Sequence, residues 1–209
     1  MSYTETYDEL VKEILNCSKC ELHKHRRRAV PGEGPLNAEV MIVGEAPGEK
    51  EDIEGRPFVG PAGQLLTKIL EKTSLSRSQA YITNIVKCRP PENRDPKPEE
   101  INACLPYLVK QILIIKPKVI ICLGRHSARE LLRLSGMRSK YTQSISRIRG
   151  QIFDVNIQNH RVILTATYHP ASALYDPSKR EIIENDLRKV IDSVKLMYTC
   201  RRSLITDYL

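Results

Sequence analysis

Short apolar runs alternate along this chain with amphipathic stretches. Glu39-Val-Met-Ile-Val43 is apolar and ends at Gly44, the pattern of a buried strand. Gly60-Pro-Ala-Gly63 opens a helix over 64–72, with Leu65, Leu66, Ile69 and Leu70 on one face. Tyr81 to Val86 predicts a second strand, Pro98-Glu-Glu a helix to about Ile115, and Lys118 to Leu123 a third strand. Gly124-Arg-His-Ser127 then turns into a helix from Ala128 to Leu134. Two more strands, Gln151 to Ile157 and Arg161 to Ala166, meet at Gln158-Asn-His160, a hairpin turn. Tyr3 to Leu15 is helix-like, and a charged amphipathic helix from Lys179 to Met197 closes the pattern. Strand–helix alternation of this kind predicts an α/β fold, a three-layer α/β/α sandwich on a mainly parallel central sheet. The 209 residues suit one domain, 1–199, with a flexible tail at 200–209.

In such folds ligands bind beyond the carboxyl ends of the strands. Four segments leave strands there and are expected to meet in one cleft: Gly44 to Gly48, Asn84 to Arg89, Gly124 to Ser127, and Thr167 to Leu174. Gly44-Glu-Ala-Pro-Gly48 lets backbone approach a ligand closely, although a plain turn with exposed acids has the same composition. Asn84 offers a donor and an acceptor in one plane. His169, stiffened by Pro170, is either a donor at the cleft rim or a satisfied buried histidine.

Charge and cysteine content add to this picture. Lys+Arg number 33 against 25 Asp+Glu, a net charge of +8 that favours a polyanionic partner. Clusters such as His23 to Arg28 and Arg138 to Arg149 also fit plain solvated faces. No run approaches the ~20 apolar residues of a membrane span. The opening residues are polar and charged, without an export signal, so a reducing, cytoplasmic setting is expected and disulfides are not. Cys17 and Cys20 form a C-x2-C pair; Cys88 follows after 67 residues and Cys104 after 15 more. Such thiols suit an iron–sulfur cluster or zinc. Cys122 reads as core and Cys200 as spare. There is no Trp and there are only two Phe, so a site needing a flat ring has few candidates.

Gly44-Glu-Ala-Pro-Gly48, Gly55-Arg-Pro-Phe-Val-Gly60, Thr83-Asn-Ile-Val-Lys-Cys-Arg-Pro90, His169-Pro-Ala-Ser-Ala-Leu174 and the four cysteines together resemble the family 4 uracil-DNA glycosylases, iron–sulfur enzymes of archaea and some bacteria. The resemblance spans about residues 3–198. It implies base excision repair: flipping uracil from single- or double-stranded DNA and hydrolysing its N-glycosidic bond, leaving an abasic site. It implies a structural [4Fe-4S] cluster on Cys17, Cys20, Cys88 and Cys104, no nucleotide cofactor and no catalytic divalent metal. Phe58 matches the stacking ring, Asn84 the amide that reads the uracil edge, and His169 the donor to O2 of the leaving base. Gly44, Glu45, Ala46, Gly48 and Glu51 complete the expected uracil site. Leu174, with Tyr175, matches the wedge. Gly63, Arg125 and Ser172 are expected at DNA phosphates.

One departure matters. Better-known uracil glycosylases carry a water-activating Asp and a thymine-excluding Tyr in the first motif, and here Ala46 and Gly48 stand in their places. Glu45 becomes the candidate for orienting water and Glu51 for crowding out the thymine methyl. A broader deaminated-base glycosylase and a non-enzymatic iron–sulfur DNA-binding accessory remain alternatives. Arg202-Ser-Leu-Ile205-Thr-Asp-Tyr208-Leu209 loosely resembles a sliding-clamp-binding box. A monomer associated with the nucleoid is expected.

Overall fold

The computed structural model describes the backbone of residues 3–206 and the side chains of residues 6–193. Five strands form one sheet in the order β2-β1-β3-β5-β4. They are β1 (Val40–Gly44), β2 (Ala80–Asn84), β3 (Val119–Leu123), β4 (Ile152–Ile157) and β5 (His160–Thr167). The first four in that order run parallel, and β4 pairs antiparallel with β5. The turn between them, Gln158-Asn159, has φ of 46° and 68°. Two successive positive φ values match the twist of a tight hairpin.

The helices are α1 (Tyr3–Leu15), α2 (Glu49–Glu54), α3 (Pro61–Leu70), α4 (Pro98–Ile115), α5 (Arg125–Leu134), α6 (Arg138–Tyr141), α7 (Ile145–Ile148), α8 (Ser172–Tyr175) and α9 (Ser178–Thr206). Alternate strand residues face opposite layers, as the pleat requires. Met41, Val43, Ile120 and Cys122 pack with α1, α4 and α5, whereas Ile42, Ile121 and Leu123 pack with α3 and α9. This is the expected α/β/α sandwich, with Cys122 and Phe153 in its core.

Several boundaries differ from expectation. β2 ends at Asn84 rather than Val86, because the Ile85 and Val86 amides follow the loop after β1, donating to the carbonyls of Gly44 and Glu45. α9 continues in backbone to Thr206, past Met197; no Gly or Pro interrupts that stretch. The clamp-box resemblance and Cys200 lie outside the described side chains. α2 is unexpected: Glu49 to Asp52 reads as exposed acids, yet Glu51 and Asp52 are buried. No helix among the described residues is long and apolar enough to cross a membrane.

The chain leaves β1 to one side to form β2, then returns past β1 to form β3. The switch point therefore lies at the carboxyl ends of β1 and β3, where open α/β sheets place their crevice. The register aligns Gly44 with Asn84 and Leu123 with Thr167, so the motif loops start level with one another.

Candidate active site and cysteine centre

The expected loops do converge. A cleft of about 630 Å³ is lined by Glu45, Phe58, Asn84, His169, Leu174 and their neighbours, room enough for a flipped nucleotide. Ala46, Gly48 and Glu51 lie on the same wall. Asn84 is 2 % exposed, and its Oδ1 is a buried acceptor with no hydrogen-bond partner. An orphaned buried amide oxygen costs about 1–3 kcal/mol and is uncommon unless a ligand completes it. Gly44 stands against it: a Cβ there would sit 2.3 Å from Asn84 Oδ1 and 2.6 Å from the Phe58 ring.

Phe58 holds a left-handed backbone, φ 52°, unusual for an aromatic residue. The surroundings impose it. Arg77 donates to the carbonyls of Pro57 at 2.6 Å and Phe58 at 3.1 Å. Glu51 Oε1 accepts the amides of Val59 at 2.9 Å and Gly60 at 2.8 Å. Gly63 is buried under this loop, where a Cβ would fall 1.9 Å from the Phe58 carbonyl oxygen. The Phe58 ring faces the His169 imidazole, centroids 5.7 Å apart at 34°.

The Ala171 amide donates to His169 Nδ1 at 3.2 Å, so the neutral ring carries its proton on Nε2. Burial pulls the imidazole down to about 4, and Glu51 opposes this. His169 is thus a neutral donor at pH 7. Ser172 Oγ donates to the His169 carbonyl at 2.8 Å, which fixes the turn. Beyond it Leu174 and Tyr175 are 47 % and 90 % exposed at the rim, a wedge-like placement.

Glu45 does not stand alone. His126 Nε2 lies 3.8 Å from its carboxylate and 3.3 Å from Asp95, and Arg125 reaches both Asp95 and His126. Burial pushes the Glu45 carboxyl up; His126 and Arg125 pull it down, and Asp95 pushes it up again. Asp95 comes from the loop after Cys88, a neighbour that no local pattern announces. His126 lies inside the turn marked by sequence, but its partner there was not foreseeable.

Cys17, Cys20, Cys88 and Cys104 line one cavity with Ile14, Val86 and Tyr107. Burial pushes the Cys104 thiol up to about 12, and Lys87 pulls it down. Thiolates at such a place need donors, and these are present: Arg26 Nη1 to Cys88 Sγ at 3.0 Å, the Lys87 amide to Cys104 Sγ at 3.2 Å, and the Lys19 amide to Cys17 Sγ at 3.5 Å. The four residues and their donors fit a thiolate-held metal centre. Glu45, Asp95 and His126 also bring three ligating atoms within 4.8 Å of one another.

Residues 31–194 match the family model described as the uracil DNA glycosylase superfamily. The chain is 50 % identical to a type-4 uracil-DNA glycosylase of Saccharolobus solfataricus, over 91 % of this chain and 87 % of the relative. It is 49 % identical to the type-4 enzyme of Sulfurisphaera tokodaii, covering 89 % and 84 %. With that of Archaeoglobus fulgidus it shares 48 %, covering 89 % and 92 %. A cleft holding a stacking ring, an unsatisfied amide and a neutral imidazole agrees with this likeness, and the chain belongs to the uracil DNA glycosylase superfamily.

Proposed function

We propose that this protein is a DNA-repair glycosylase that hydrolyses the N-glycosidic bond of deoxyuridine in DNA. The observation that carries the reading is the orphaned Asn84 Oδ1 in the cleft wall. Uracil N3–H satisfies it, and the Asn84 amide N–H₂ donates to O4; cytosine presents the opposite pattern and leaves both groups unpaired. Phe58 stacks on the extruded base. As the C1′–N1 bond breaks, negative charge gathers on uracil O2, where the Nε2–H of His169 stabilises it. Water adds to C1′, oriented by Glu45 from the His126 and Asp95 side, and the proton it loses passes through solvent to the uracil anion, which leaves as neutral uracil. Glu51 borders the same wall and is assigned to excluding the 5-methyl of thymine. Leu174 and Tyr175 fill the gap left in the stack. Arg125 and the Ser172 turn meet phosphate.

Cys17, Cys20, Cys88 and Cys104 hold a [4Fe-4S] cluster. The likeness to the type-4 enzymes supports iron over zinc at these thiols. The cluster's part is structural, since hydrolysis moves no electrons.

Oligonucleotides carrying uracil, hypoxanthine or thymine mismatches, incubated with EDTA and then treated with alkali, test the reading. Strand cleavage at uracil alone is expected. No cleavage on any substrate overturns the assignment, and equal cleavage at hypoxanthine replaces it with a broader deaminated-base activity.

A further inference from the structure

Lys87 is 1 % exposed, an uncommon place for an ammonium. Its Nζ donates to Thr83 Oγ1 at 2.6 Å, to the Asn84 carbonyl at 2.7 Å and to Gln111 Oε1 at 2.7 Å. Three N–H donors thus meet three acceptors, all of them neutral. The acceptors are tied down in turn. Thr83 Oγ1 donates to the Pro31 carbonyl at 2.7 Å, and Gln111 Nε2 donates to that same carbonyl at 2.8 Å and to Tyr81 Oη at 2.9 Å.

The other end of the same residue faces the cysteines. Its amide donates to Cys104 Sγ, and Cys88 is its chain neighbour. Gln111 and Cys104 are seven residues apart on α4, two turns along one face. Lys87 therefore spans from the thiol cavity to the backbone of the residue that carries the orphaned amide.

We propose that Lys87 is a positioning residue for base recognition, its ammonium fastening the Asn84 backbone to the cysteine centre so that the two form one rigid unit. This rests on the glycosylase reading above. Without the three bonds, Asn84 keeps its side chain but loses the fixed backbone from which it discriminates, and preorganised amides are what set specificity.

The test compares full-length wild type, Lys87→Met and Thr83→Val. The second variant removes one acceptor and leaves the lysine and cysteines in place. Binding is measured to an oligonucleotide with non-cleavable 2′-fluorodeoxyuridine and to the same oligonucleotide with 2′-fluorodeoxycytidine, whose edge presents the opposite pattern to Asn84. Visible absorption near ~400 nm, where iron–thiolate clusters absorb, is recorded per folded chain. For Lys87→Met the uracil-to-cytosine affinity ratio is expected to fall about 10-fold or more, the scale of one lost buried hydrogen bond to a charged group. Affinity for the deoxycytidine oligonucleotide should stay within about 2-fold, because phosphate contacts carry it. Thr83→Val should lower the ratio by a smaller factor with unchanged absorption, and it decides the matter if Lys87→Met does not fold. An unchanged ratio in the folded variants, or equal losses on both oligonucleotides, overturns the proposal. Wild type that shows no preference for deoxyuridine overturns the glycosylase reading instead.

Discussion

His169 is an uncharged ring at neutral pH. The Ala171 amide takes up Nδ1, which leaves the ring proton on Nε2. Burial holds the ring's pKa near 4 instead of 6.5. Between those values the unfolded chain binds a proton that the folded one refuses, so stability falls as pH drops through this window and is complete above it. The contribution is on the order of 3 kcal/mol. Urea unfolding of wild type and His169→Gln from pH 4 to 7 checks this: the variant should lose close to one proton of pH dependence. Asn84 and His169 were legible in sequence as polar side chains at or just beyond strand ends, and Phe58 through the resemblance and the scarcity of rings. The orphaned Oδ1, the ring tautomer and the positive φ of Phe58 were not, since each depends on contacts with residues far along the chain.

Among the elements, α3 and the loop before it act together. Gly63 is buried against the Phe58 backbone, with no room for a methyl group. Gly63→Ala should destabilise the protein by about 1–3 kcal/mol, the usual cost of overpacking. It should also slow single-turnover uracil release at least about 10-fold by displacing the ring. Thermal melts and quenched single-turnover assays measure the two effects, and a variant that melts early but cleaves at full rate would separate the helix from the platform. The strands and long helices were readable from periodicity, with ends off by a few residues. The short α2 was not, because its acids look like a solvated face. Asp52 in fact accepts the Arg27 amide at 3.0 Å, and Glu51 accepts those of Val59 and Gly60. An acid buried to bind distant backbone leaves no local pattern.

On the scale of the whole molecule, a cluster on the four cysteines, as proposed above, closes a long loop, since 67 residues separate Cys20 from Cys88. Fixing such a loop is worth about 4 kcal/mol in the chain-entropy view, and more where metal binding is coupled to folding. Cys104→Ser should lose visible absorption and melt about 10 °C lower, at 2–4 °C per kcal/mol for a domain of this size. Scanning calorimetry beside an absorption spectrum reads both; a variant that bleaches without a lower melting temperature would remove the structural role. The spacing of the four thiols was plain from sequence. That their loop also delivers Asp95 to Glu45 was not, because the link runs through the tertiary fold.

The sheet order puts β2, which ends in Asn84, at an outer edge with β1 as its one full strand neighbour. Its free side is finished by the segment after the cysteine pair: Glu33 exchanges both backbone bonds with Ile82, and the Val30 amide bonds the Lys87 carbonyl. The stretch that brings Cys17 and Cys20 therefore doubles as a substitute sixth strand. An open edge is ordinarily the most deformable part of a sheet, and here it carries the orphaned amide of Asn84. The segment after the cysteine pair is thus a splint on that edge, holding in place a residue it need not touch.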